Sequence, residues 1–153
     1  MAFFLTILAV VLADQLSKWW LMESISLHET VTVIPGFFNL THIHNTGAAF
    51  GLFAGNGGDW RLWFFGVVSL IALLAIIVLY RNYRDKGLFY ALCLGLISGG
   101  AIGNLIDRFR YGSVVDFLDV YIGPYHWPAF NLADSAICLG VGLFIWANFF
   151  RDT

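Results

Sequence analysis

Charge is scarce in this chain, and the scarcity excludes an ordinary soluble domain. Asp, Glu, Lys and Arg make up 12% of the 153 residues, against about 25% in typical soluble domains. Hydrophobic residues make up 59% and the mean hydropathy is +0.78, so the expected solvent is the bilayer. Basic runs are missing too. The net charge is -2, which leaves no electrostatic footprint for nucleic acid and no polybasic patch for an anionic lipid surface. Cysteine is limited to Cys93 and Cys138, each inside an apolar stretch and outside any C-x-x-C pair. Both are expected to be small buried hydrophobes rather than a disulfide or a metal site. Residues 3–13 look like the core of a secretory signal, but no Lys or Arg precedes them and no A-x-A site follows. That stretch is expected to be a retained span.

Four stretches approach the roughly 20 residues that a helix needs to cross the hydrocarbon core: about 2–21, 62–80, 88–106 and 129–150. The expected fold is therefore an all-α membrane protein of four transmembrane helices, forming a single domain over residues 1–153. The short link Arg81-Asn82-Tyr83-Arg84-Asp85-Lys86-Gly87 is dense in positive charge and reads as cytoplasmic, which puts both termini inside. Connections 22–61 and 107–128 then face outward, although Lys18, Arg61, Arg108 and Arg110 lie on that side. Within the first, residues 30–34 and 37–43 have the Val, Ile, Thr and Phe content of strands split by Pro35-Gly36, predicting a small β-rich extracytoplasmic cap. Gly55-Asn56-Gly57-Gly58 reads as a flexible loop. Trp60, Trp63, Trp127 and Trp146 are expected at the membrane interfaces.

Small residues recur at intervals of four, at Gly95, Gly99 and Gly103 and again at Ala136 and Gly140, the spacing that lets helices approach closely in lipid. Gly100 lies off that stripe. The polar residues of the spans are more informative, because an ionisable group in a span is costly. Asp14 and Lys18 are i and i+4, Asn104 and Arg108 are i and i+4, and Asn131 and Asp134 are i and i+3, so each pair shares a helix face. With spans one and three running outward and span four inward, all six fall at one membrane face and converge on one pocket. Asp14 with Lys18 fits either an ion pair fixing helix packing or a direct role. Asn104 with Arg108 fits a site or an interhelical hydrogen bond beside a snorkelling Arg.

Asp134 lies about 8 Å into the fourth span at 1.5 Å per residue, and Asp116 sits between Val115 and Phe117 in the preceding connection. Two carboxyls in such a setting cannot both ionise easily, so one keeps a proton and the other acts as base. That is the aspartic-protease arrangement. From spacing alone Asp119 competes with Asp116 for the role. Ser17 and Lys18 are adjacent and diverge by about 100° on a helix, against a Ser/Lys dyad. Ser98 lacks the G-x-S-x-G frame, and His42 with His44 lacks a third metal ligand.

Together the motifs resemble the type II (prolipoprotein) signal peptidases. Asp14-Gln15-Leu16-Ser17-Lys18 matches D-Q-x-S-K, residues 45–50 match N-x-G-A-A-F, and residues 99–108 match G-G-A-x-G-N-x-x-D-R. Val115-Asp116-Phe117 and Phe130-Asn131-Leu132-Ala133-Asp134 match the two aspartate motifs. The resemblance implies an intramembrane aspartyl endopeptidase with Asp116 and Asp134 as its catalytic dyad. It further implies that Asp14, Lys18, Asn45, Gly100, Asn104, Arg108 and Asn131 shape the site or hold substrate. The implied reaction removes the signal peptide of a bacterial prolipoprotein just before a cysteine bearing a diacylglyceryl group. The implied location is the cytoplasmic (inner) membrane, with the active site near its extracytoplasmic face. Substrate and membrane lipid are the expected partners; no metal, cofactor, nucleic acid or obligate protein partner is implied. A small transporter would need a polar path across both leaflets, and the inner halves of the spans are nearly bare. A purely structural subunit would leave Asp134 unexplained.

Overall fold

The computed structural model describes residues 1–47 and 60–150. Four long helices, α1 (Ala2–Ser24), α2 (Trp60–Tyr83), α3 (Leu88–Tyr111) and α4 (Leu132–Phe150), carry strands β1 (Thr30–Ile34) and β2 (Phe38–Asn45) after α1, and β3 (Val114–Ile122) and β4 (Tyr125–His126) before α4. All four helices are long and apolar enough to cross a membrane. The expected Gly55–Gly58 loop and the Ala48–Phe50 part of its motif lie outside the described residues.

The sequence-based spans stop short of the helix ends. Helices α1 and α3 continue through Ser24 and Tyr111, because backbone hydrogen bonding does not end where hydropathy falls. Helix α3 terminates where Gly112 adopts a left-handed conformation, φ 69°, its N–H donating to the Arg108 carbonyl at 3.0 Å. Only a residue without a Cβ takes that conformation at little cost. Helix α4 starts later than expected, at Leu132, because Asn131 caps it: Asn131 Oδ1 accepts from Asp134 N at 2.9 Å, the usual N-cap geometry.

Connection 107–128 is not the simple link that the sequence reading made of it. Val114–Ile122 forms a nine-residue strand, and the sheet runs in the order β1-β2-β3-β4, antiparallel throughout. The cap is therefore built from both inter-span connections. Past β4 the chain folds back along β3, Phe117 N and Leu118 N both donating to the Phe130 carbonyl at 2.9 and 2.8 Å.

Helix α3 is the hub against which α1, α2 and α4 pack. Its glycines explain the closeness. A Cβ on Gly95 would stand 2.7 Å from Thr6 Cβ, and one on Gly99 the same distance from Val10 Cβ. Gly100 faces the other way, toward the Ala133 carbonyl and Ile137 of α4, which accounts for its place off the α1 stripe. At the end away from the sheet, α2 and α4 are joined by Tyr83 Oη donating to Asn148 Oδ1 at 2.9 Å and by a Tyr83–Phe144 edge contact at 5.0 Å. Phe3 stacks on Tyr80 at 4.0 Å there, over a small cluster with Ile76 and Leu94. Buried Cys93 fits its expectation, but Cys138 is exposed: the fourth span turns that face toward a cavity rather than toward a neighbouring helix.

Candidate active site

The polar faces of three helices meet at the sheet end of the bundle. Asn104 is the junction. Its Oδ1 accepts from Lys18 Nζ and from Asn131 Nδ2, both at 3.2 Å, and its Nδ2 donates to Asp134 Oδ1 at 2.7 Å. Asn131 reaches the second aspartate, donating to Asp116 Oδ1 at 2.8 Å, while Asn45 at the end of β2 donates to Asp116 Oδ2 at 2.9 Å. Each carboxyl is thus oriented by an amide, and one chain of amides connects them.

Burial governs the chemistry here. Asp116 is 3% exposed, and loss of water pushes its carboxyl from 3.8 up to about 7; the hydrogen bond from Asn45 opposes this, and the neighbouring Asp134 carboxyl adds to it. A carboxyl that keeps its proton near neutrality beside a second carboxyl is equipped for general acid–base work. Both line a cavity of about 370 Å³, whose wall also includes Asn104, Arg108, Phe130 and Cys138. Arg108 contributes a half-buried guanidinium that lies 5.2 Å over the Phe65 ring of α2.

Asp14 and Lys18 sit behind this wall. They form the expected ion pair, 2.8 Å, fully buried, and Lys18 has a second carboxylate partner in Asp107 at 2.7 Å. Two buried carboxyls share one ammonium, and each is hydrogen-bonded, as interior polar groups must be. Gly100 does not line the cavity; it sets the approach of α4 to α3. Asp119 is on the opposite face of β3 from Asp116, where Asn39 Nδ2 donates to it at 2.8 Å and the His126 ring lies at 2.8 Å. Asp119 is therefore part of the cap. His42 and His44 are engaged at Nδ1 by the Ile25 carbonyl and Ser113 Oγ, at 2.8 and 2.9 Å.

Sequence reasoning gave no site role to Gln15 or Asp107, although both fall inside the matched motifs and Asp107 lies at the same membrane face as Asn104 and Arg108. Gln15 Nε2 donates to Asp107 Oδ1 at 2.9 Å, and Val115 N donates to Asp107 Oδ2 at 3.1 Å. The signal was available, since Asp107 is three residues from Asn104 and shares its helix face. The apolar wall from Trp127 to Phe130 was also missed, because no periodicity marks an extended segment of that kind.

Fold and site together define a multi-pass membrane protein with paired carboxyls in a pocket at one end of its helices, the layout of a membrane-embedded aspartic peptidase. The sequence profile of signal peptidase (SPase) II matches residues 6–150. The lipoprotein signal peptidase of Desulforapulum autotrophicum is 50% identical over 93% of this chain and 88% of its own length. That of Syntrophotalea carbinolica is 48% identical over 94% and 87%. A bacterial membrane enzyme solved by the in meso method at 2.3 Å superposes with a TM-score of 0.85 at 35% identity, covering 96% of this chain and 87% of the other. The chain belongs to the signal peptidase II family. It is accordingly an aspartic peptidase, a hydrolase that removes signal peptides from prolipoproteins.

Proposed function

We propose that Asp116 and Asp134 are the catalytic dyad and that cleavage falls just before a diacylglyceryl-modified cysteine, at the extracytoplasmic face of the bacterial inner membrane. The observation that carries this reading is the pair of carboxyls on the wall of one cavity, where burial raises the Asp116 carboxyl to about 7. In the reaction one carboxylate takes a proton from water as the water attacks the scissile carbonyl. The protonated partner stabilises the developing oxyanion and then protonates the leaving amine. No acyl-enzyme forms.

Asn104 and Asn131 hold the two carboxyls in register, and Asn45 fixes the outer oxygen of Asp116. The cavity is walled by α3, α4, β3 and the 127–130 segment, and a membrane-embedded peptide is the substrate that this reading requires. Phe130 and Ile137 give it apolar walls. Acyl chains add binding, about 0.8 kcal/mol for each buried CH₂.

The test is cleavage of a diacylated prolipoprotein in bilayers by three variants. Asp116→Asn and Asp134→Asn are each expected to lose about 100- to 10,000-fold in kcat, the contribution of general acid–base catalysis. Asp119→Asn is expected to keep most of its activity. An essential Asp119 with a dispensable Asp116 overturns the assignment.

A further inference from the structure

Asp14 and Asp107 do the same thing at two places. Asp14 Oδ1 accepts the backbone N–H of Ala133 at 3.0 Å, and Asp107 Oδ2 accepts that of Val115 at 3.1 Å. Ala133 is the residue immediately before Asp134, and Val115 the residue immediately before Asp116. Lys18 Nζ joins the two carboxylates, at 2.8 and 2.7 Å. All three residues are at most 1% exposed, and none lines the cavity that holds the dyad. Gln15 steadies the assembly from α1, donating to Asp107 Oδ1 at 2.9 Å and to Asp14 Oδ2 at 3.2 Å.

We infer that Asp107, with Asp14 and Lys18, is a positioning clamp that sets the separation of the two reactive carboxyls by gripping the backbone one residue ahead of each. Asp107 is the arm that reaches β3. The inference rests on Asp116 and Asp134 being the dyad.

A clamp of this kind acts on the chemical step and leaves substrate binding alone. Asp107→Asn keeps the size of the side chain and leaves the Asp14–Lys18 pair intact, but it has one acceptor oxygen where three donors converge, so the grip on Val115 loosens.

The experiment measures kcat, KM and the melting temperature of the full chain in bilayers, with a diacylated prolipoprotein as substrate. Asp107→Asn is expected to lower kcat by about 100-fold, the order that a displacement of 1 Å costs. KM is expected to stay within about twofold, as for an interaction made only in the transition state. Wild-type kcat, or a raised KM at unchanged kcat, overturns the inference. If Asp107→Asn does not fold, Gln15→Met carries the same test, since Gln15 is half-buried and donates to both carboxyls of the clamp as well as to the Gly103 carbonyl; a smaller kcat loss at unchanged KM supports the inference, and unchanged kcat overturns it. Full activity in both Asp116→Asn and Asp134→Asn instead overturns the dyad itself and is distinguishable from either result.

Discussion

Strand geometry separates the aspartates that sequence spacing left in competition. Side chains alternate along a strand, so two residues three apart point to opposite faces. Asp116 turns toward the helices and Asp119 toward Asn39 and His126 of the cap. Reading Val114–Ile122 as a strand would have decided the matter by parity alone. The pH behaviour follows from Asp116. Its carboxyl ionises near 7 in the folded protein against 3.8 unperturbed, and the reaction needs one proton in the dyad. Cleavage is therefore expected to fall as pH rises through about 7, measured as kcat/KM on lipidated substrate. The same shift has a stability sign: between 3.8 and about 7 the folded state holds a proton that the unfolded state releases. Raising pH across that window thus costs stability, and above about 7 the loss levels off. Melting temperatures of wild type against Asp116→Asn across the window check it, the difference growing with pH.

Among the elements, helices were legible and the strand that holds Asp116 was not. Twenty-residue apolar windows located all four helices to within a few residues, since nothing else in a sequence looks like a span. The eight apolar and acidic residues after Val114 carry ample β-branched and aromatic content, but with both faces buried they show no alternation to count. Convergence of the polar faces was readable from spacing of three and four. Asn104 as their junction was not, because a hydrogen-bond partner on another helix leaves no trace in periodicity. Close helix approach yields a sharper expectation. A Cβ at Gly100 would meet the Ala133 carbonyl and stand 2.7 Å from Ile137 Cγ1, and backbone cannot give way as a side-chain tip can. Gly100→Ala is expected to push α4 off α3, carry Asp134 with it and lower the melting temperature, at a cost of about 1–3 kcal/mol for overpacking. Cleavage and thermal melts check this; wild-type values for both would show that α4 adjusts freely.

For the whole molecule, the decisive property is that the buried Asp, Lys and His residues among the described residues gather at the sheet end. Arg81, Arg84 and Lys86 lie at the opposite end from the sheet, and positive loops stay in the cytoplasm. A reporter fused within residues 82–86 is expected to be cytoplasmic, and one fused at residues 55–58 exported; the reverse pattern would place the dyad on the wrong side for exported substrates. Helix α4 adds a consequence of its own. It has 19 residues, about 28 Å at 1.5 Å per residue, which is close to the hydrocarbon thickness, and Asp134 is in its first turn. The height of the proposed catalytic carboxyls above the bilayer midplane is thus fixed by protein, while the height of the acylated cysteine in the proposed substrate is fixed by lipid. The two agree only in a bilayer of matching thickness. In vesicles of progressively longer or shorter acyl chains, turnover is expected to pass through a maximum near a 28 Å core, so the composition of the surrounding membrane tunes the rate without touching a single residue of the site.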